Sequence, residues 1–265
     1  SLAPALFIPH GGVPLPLLGE PSHAVLNAFL AGYMQTITRP VAIVVVSAHW
    51  EAPVATITSG ETPALIYDYY GFPPESYRIQ YPAAGSSALA ERIAALLADH
   101  GVAAQLDARR GFDHGVFVPL KIMQPDASIP CVQISLLRSL DARAHIALGN
   151  ALRKLREENV MILGSGFSTH NLQVMLGGIN ADTLARNDAF QSWLVQACTN
   201  ETLTQSAREA MLVDWARAPQ ARFCHPREEH LLPLMVCLGS ATQAARCIFD
   251  DDTLGMRCLA FEWRD

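Results

Sequence analysis

The chain of 265 residues is 50% hydrophobic and 17% charged, with a formal net charge of -6 at pH 7. A chain of this size can bury one large core, and α/β folds of this length need not divide, so residues 1–265 are expected to form a single domain without a linker. Its basic side chains are 17 Arg and only 2 Lys against 25 Asp and Glu, which argues against a broad nucleic-acid surface or an anionic membrane as the main partner.

In chain order, apolar runs of strand length alternate with stretches of helical period. The run Ala5-Leu-Phe-Ile-Pro9 predicts a buried strand that feeds straight into His10. Past the loop at 11–21, a helix from about Ser22 carries Leu26, Phe29, Leu30 and Tyr33 on one face. The strand that starts near Val41 is expected to end at His49, and residues 51–85 read as a long irregular stretch rich in proline and aromatics. Gly85-Ser-Ser87 then opens a helix bearing Leu89, Ile93, Leu96 and Leu97 that stops at Gly101. Strands are expected at 102–106 and 129–136, Asp141 is a candidate N-cap for a helix through Arg156, and an interior strand starting at Val160 runs towards His170. Two helices, from about Asp182 and Glu201, precede the Arg-Phe-Cys-His-Pro226 segment, and strands at 245–249 and 256–263 close the chain. This alternation predicts an α/β fold.

The six cysteines, Cys131, Cys198, Cys224, Cys237, Cys247 and Cys258, show no CxxC spacing, and several fall in apolar runs. They read as buried reduced thiols, which points to a reducing, cytoplasmic setting. The apolar stretch 1–18 has no Lys or Arg and is broken by four prolines, and no apolar run elsewhere approaches membrane-spanning length. Neither secretion nor membrane insertion is expected.

Five histidines, His10, His49, His114, His170 and His230, sit in short stretches of Gly, Pro, Ser or Asn. Three of them follow apolar strands. In an open α/β sheet ligands collect at the carboxyl ends of the strands, so three unlinked segments would converge there and predict a metal site. A single buried histidine is more often structural than a ligand, but convergence reverses that expectation. His10, followed by Gly11-Gly12, and His49, flanked by Ser47 and Trp50, are ligand candidates. His230 is the third, because Pro226 can start a helix that places it in an early turn. Beside it, His225 reads as a supporting or turn residue, Glu229 as pointing elsewhere and Cys224 as inert. His114, next to Asp113, which could orient its ring, is assigned acid/base or substrate-binding work. His170 ends a strand in a Gly/Ser turn and suits either a general base or a fourth metal ligand; the residues leave both open. His23, His100 and His145 read as surface residues without a role.

The motifs Pro9-His10-Gly11, Ser47-Ala-His49-Trp50, Tyr67-Asp-Tyr-Tyr-Gly-Phe-Pro73, Tyr81-Pro82-Ala83, Asp113-His114-Gly115, Gly164-Ser-Gly166 with His170-Asn171, and His225-Pro-Arg-Glu-Glu-His230-Leu-Leu-Pro233 follow one another along the whole chain. In that order they resemble the class III (LigB-type) extradiol ring-cleavage dioxygenases, most closely the 4,5-DOPA extradiol dioxygenase branch. The resemblance implies a single α/β domain with a central mixed sheet flanked by helices, a mononuclear non-haem metal, and O2-dependent opening of a catechol ring beside its two hydroxyls. Many relatives in the wider class hold Fe(II) through two His and one Glu, whereas the DOPA-like branch has His at the third position, matched here by His230. An all-imidazole site suits Fe(II) for activity and also accepts Zn(II).

The resemblance further implies a muconic-semialdehyde-type product and two proton transfers suited to His170 and His114. Tyr67, Tyr69, Tyr70 and Phe72 are expected either to wall the ring pocket or to pack as a surface loop. Two rival functions use the same residues differently: a zinc-dependent hydrolase or lyase with a metal-bound water, and a non-enzymatic interaction protein of the same fold, against which the intact histidine set speaks.

Overall fold

A computed structural model describes residues 2–265; Ser1, with which the apolar N-terminal stretch begins, lies outside the described residues. In chain order the elements are β1 (Ala5–Pro9), α1 (Ala24–Tyr33), β2 (Ala42–Ala52), β3 (Ala55–Thr58), α2 (Ser87–Asp99), β4 (Ala104–Asp107), α3 (His114–Met123), β5 (Cys131–Leu137), α4 (Ala142–Glu157) and β6 (Val160–Gly166). They continue with α5 (Leu172–Met175), α6 (Ala181–Thr199), α7 (Gln205–Val213), α8 (Ala221–Cys224), α9 (Leu232–Gly239), β7 (Arg246–Thr253) and β8 (Met256–Trp263).

The strands form one 8-stranded sheet in the order β4-β3-β5-β2-β6-β1-β8-β7. Its middle, β5-β2-β6-β1, is parallel, while β8 joins β1 antiparallel and β3 joins β5 antiparallel, so the sheet is mixed. The central strands are apolar on both faces because both faces are covered. Phe7, Val44, Val46 and Ile162 pack into the layer that contains α4 and α9, and Leu6, Ile8, Val45 and Leu163 into the layer that contains α1 and α3. Among the described residues no helix is long and apolar enough to cross a membrane. The six cysteines are free, and all but the half-buried Cys247 are buried. Burial pushes the thiols of Cys131, Cys224, Cys237 and Cys258 up to about 12.

Helix caps follow the sequence closely. Asp141 accepts from the Ala144 N–H at 2.9 Å at the start of α4, and Ser86 accepts from Leu89 N–H at 3.1 Å at the start of α2. Two expectations about the strands are corrected. The stretch after His49 is not irregular throughout, because β3 lies within it, pairing with β4 in parallel and with β5 through Ile57 and Ile134. Its threonines are buried, with Thr56 donating to the Val54 carbonyl and Thr58 accepting from the Gln133 N–H. Nor does β2 stop at His49: its register against β5 shifts between Val46 and Glu51, and the strand runs on to Ala52.

His23 and His145, expected at the surface, are both fully buried. Each is satisfied at both ring nitrogens, His145 by donating to the Asp141 carbonyl at 2.7 Å and accepting from the Leu137 N–H at 3.0 Å.

β2, β6 and β1 are neighbours, so the segments that leave their carboxyl ends emerge side by side. The end of β6 carries no side chain at two positions. A Cβ at Gly164 would stand 2.7 Å from the Pro233 carbonyl oxygen, and one at Gly166 would collide with the His230 carbonyl oxygen. The turn that carries His230 therefore lies directly on the strand, where the Phe167 N–H donates to the His230 carbonyl at 3.0 Å. Gly166→Ala is expected to lower stability by about 1–3 kcal/mol through this overpacking. An unchanged urea-unfolding midpoint would show that the turn does not need the bare strand.

Candidate metal centre

His10 is the first residue beyond β1, and the backbone turns at once through Gly11, at φ +80°, where a side chain would meet Pro16 and His23. The His10 Nδ1–H donates to the Gly11 carbonyl at 2.8 Å, which leaves Nε2 as the lone-pair nitrogen. His23 braces this turn from within: its Nε2 accepts from the Gly12 N–H at 2.9 Å while its Nδ1–H donates to Glu20 at 2.7 Å. His49 lies on β2 just past its last pair with β6, Ser47 opposite Ser165. His230 lies in a turn immediately before α9, not on a helix begun by Pro226; the residues between Pro226 and Leu231 form bends and turns.

These three rings meet. Ring centroids are 4.8 Å apart for His10 and His49, 5.2 Å for His10 and His230, and 5.0 Å for His49 and His230. Their candidate ligand nitrogens all lie within 4.8 Å of one another. The Nε2 atoms of His10 and His49 are 3.1 Å apart. Two nitrogens bound to one ion at about 2.1 Å stand about 3.0–3.4 Å apart for right-angle to tetrahedral placements, so this spacing fits a shared metal. The Nε2 of His230 is buried and has no hydrogen-bond partner, as a nitrogen reserved for a metal would be.

Burial first, and then the neighbouring imidazoles, hold the pKa values of His10, His49 and His230 well below the ordinary histidine value. Near neutral pH all three rings are uncharged and present lone pairs, the form a metal requires. Burial likewise takes His170 down to about 4 and His225 to about 3.

The other histidines border the same space, a cavity of about 480 Å³ whose wall includes His49, Asp68, His114, His170, Leu172 and His230. His170 stacks on His230 with centroids 3.5 Å apart and planes at 9°. The ligand-distance sets link it to Glu229 and His230, not to His10 and His49. His114 is the first residue of α3, its ring centroid 4.0 Å from that of His49. Asp113 does not orient it. That buried carboxylate caps α3 through the Gly115 N–H at 2.9 Å and accepts from Ser47 at 2.8 Å and Gln133 at 2.7 Å, tying the helix start to β2 and β5. Asp68 is the carboxylate at His114 instead. Its Oδ1 lies 2.8 Å from His114 Nδ1 and accepts the His114 backbone N–H at 3.0 Å. Burial alone would raise the Asp68 carboxyl, but the contacts with His114 outweigh it and hold the group below its usual value.

Glu229 also differs from expectation: it faces the site, with Oε1 accepting from His230 Nδ1–H at 3.1 Å. His225 is buried and donates through Nε2 to the Ser168 carbonyl at 2.9 Å, pinning the loop before His170. Among the aromatics expected to wall the pocket, Tyr70 is 91% exposed, Tyr67 packs on Phe117 and Phe72 on Tyr69. From that segment it is Asp68 that reaches the cavity. The sequence reading gave Asp68 no role beyond its place in the aromatic motif, and it set Glu229 aside as pointing elsewhere and His23 as a surface residue.

The family model described as the catalytic LigB subunit of aromatic ring-opening dioxygenase matches residues 4–253. The chain is 39% identical to a dioxygenase, TasH, of Hapsidospora irregularis, over 99% of this chain and 86% of that protein. It is 36% identical to the 4,5-DOPA dioxygenase extradiol of Beta vulgaris, over 93% of this chain and 90% of that one. The crystal structure of an uncharacterized protein of Escherichia coli K12 superposes with a TM-score of 0.78 at 31% identity, covering 99% of this chain and 100% of the other.

Alanine at His10, His49 or His230 is expected to reduce bound divalent metal by orders of magnitude in affinity, read by elemental analysis after dialysis against a chelator. Full retention in all three variants would remove the triad as the metal site.

Proposed function

The chain belongs to the LigB family of aromatic ring-opening dioxygenases, and from that premise we propose that it is an extradiol dioxygenase. In this reading residues 1–265 form one domain that opens the ring of a small substituted catechol, DOPA-like in its side chain, with O2. Cleavage falls beside the two hydroxyls and gives a muconic-semialdehyde-type product that keeps both oxygen atoms. The observation that carries the proposal is the set of three neutral imidazoles whose nitrogens converge beside a cavity.

His10, His49 and His230 hold one divalent metal, Fe(II) for activity, with Zn(II) an alternative occupant of an all-nitrogen set. Held by these residues, Fe(II) would supply the redox coupling between a catecholate and O2 that the side chains cannot. The remaining work is done by the chain's own residues. His170, in the cavity wall, is kept unprotonated by burial and accepts the proton of the second catechol hydroxyl. Glu229, whose Oε1 is 3.8 Å from His170 Nδ1, stands where the resulting imidazolium charge needs a partner. His114, whose Nε2 has no protein partner and whose Nδ1 faces Asp68, delivers a proton to the departing oxygen. The cavity of about 480 Å³ is large enough for a substituted ring.

Anaerobic reconstitution tests this reading. The Fe(II) form should consume O2 in proportion to catechol cleaved and yield a yellow product, while the Zn(II) form stays inactive because zinc lacks redox chemistry. Turnover by the Zn(II) form without O2 uptake would point to a metal hydrolase or lyase. His170→Ala and His114→Ala should each lower kcat on the order of 10²- to 10⁴-fold. Retained metal in His170→Ala makes it the base; lost metal makes it a fourth ligand.

A further inference from the structure

We propose that Glu229 is a positioning residue of the metal centre, whose carboxylate fixes the tautomer and orientation of His230 and is itself held by Arg227 and Glu51. The inference rests on the reading of His10, His49 and His230 as the metal ligands.

A neutral imidazole carries a single N–H, and a buried one places it wherever an acceptor waits. The Nδ1 of His230 has Glu229 Oε1 at 3.1 Å, while its Nε2, facing the other two imidazoles, has no hydrogen-bond partner. With the proton on Nδ1, the lone pair is at Nε2, where the triad needs it. The other tautomer would aim an N–H into the triad and set a lone pair against a carboxylate oxygen. The same Glu229 oxygen is 3.8 Å from His170 Nδ1, beyond hydrogen-bond reach, so its bond is to His230.

Neighbouring residues on a regular element point apart, but the turn before α9 lets Glu229 and His230 face each other. The carboxylate has its own support. Arg227 donates to both oxygens of Glu51, at 2.7 and 2.8 Å, and its Nη1 lies 3.3 Å from Glu229 Oε2. Glu51 stands two residues past His49 on β2, so this strap joins the strand of one ligand to the turn of another. Arg227 is 52% exposed, and a pair that open to solvent adds little stability. The two-pronged contact with Glu51 fixes the direction of the Arg227 guanidinium, which places its charge beside Glu229 Oε2 without a hydrogen bond to it.

The test pairs zinc affinity, measured by titration against a competing chelator, with ¹H–¹⁵N spectra of ¹⁵N-histidine-labelled metal-free protein, in which the ring shifts report each tautomer. Wild type is expected to show His230 as the Nδ1–H tautomer. Glu229→Ala should lose that signature and bind zinc about 10- to 100-fold more weakly. Glu229→Gln, whose amide oxygen still accepts, should recover most of both, and Arg227→Ala should fall between. Unchanged tautomer and zinc affinity in Glu229→Ala overturn the inference while leaving the triad intact. Failure of wild type to bind zinc, or undiminished binding by His230→Ala, overturns the triad reading and this inference with it.

Discussion

Three imidazoles are buried edge to edge with their lone pairs pointed at one another, and the rest of the architecture answers to that constraint. Charged rings could not be packed this way, because like charges at about 5 Å in a desolvated site repel too strongly. Neutral rings can, but their converging lone pairs gain nothing from each other. A cation between them would satisfy all three at once and would stabilise this corner of the fold.

Meeting that constraint takes contributions far apart in sequence. β1 and β2 flank β6 in parallel and so bring His10 and His49 together, and the shift of β2 against β5 falls at His49, past the last pair with β6. The bare end of β6 lets the His230 turn come close. Around the triad, acceptors stand behind the rings: a carbonyl at His10, Glu229 at His230, Asp68 at His114, and Glu20 behind His23, which in turn steadies the His10 turn. Two of the three triad rings, His10 and His230, thus have an acceptor at Nδ1 that leaves Nε2 for the lone pair.

Much of this was legible in the sequence. Residues 5–9, 42–47 and 160–163 are nearly unbroken aliphatic runs, which only a strand covered on both faces tolerates, and the histidines that follow them marked the site. Asp141 announced its helix by a local hydrogen bond, which sequence encodes directly. What failed was decided by tertiary partners. β3 is only Ala55–Thr58 and lies between Pro53 and Pro63, so its two β-branched threonines are too short a signal to stand out from the irregular stretch. His23 and His145 look like surface residues until distant N–H groups turn up at their rings. Pro226 suggested a helix start, yet the helix waits for Leu232, and side-chain direction in the intervening turn obeys no period, so Glu229 could not be aimed. Tyr67, Tyr69 and Tyr77 pack their rings on one another, and of these Tyr69 also packs edge-on against His114.

The sulfur chemistry of the chain is shaped by the same burial that neutralises its histidines. Oxidation of a cysteine begins from the thiolate, and thiols pushed up to about 12 expose almost none of it at neutral pH. The cavity wall contains no cysteine among its lining residues. A protein that handles O2 beside a redox-active metal would generate stray oxidants at that wall, and the nearest residues able to quench them are imidazoles rather than thiols. Under the proposed function, the first damage from leaked oxidants at the cavity wall would therefore be oxidised histidine.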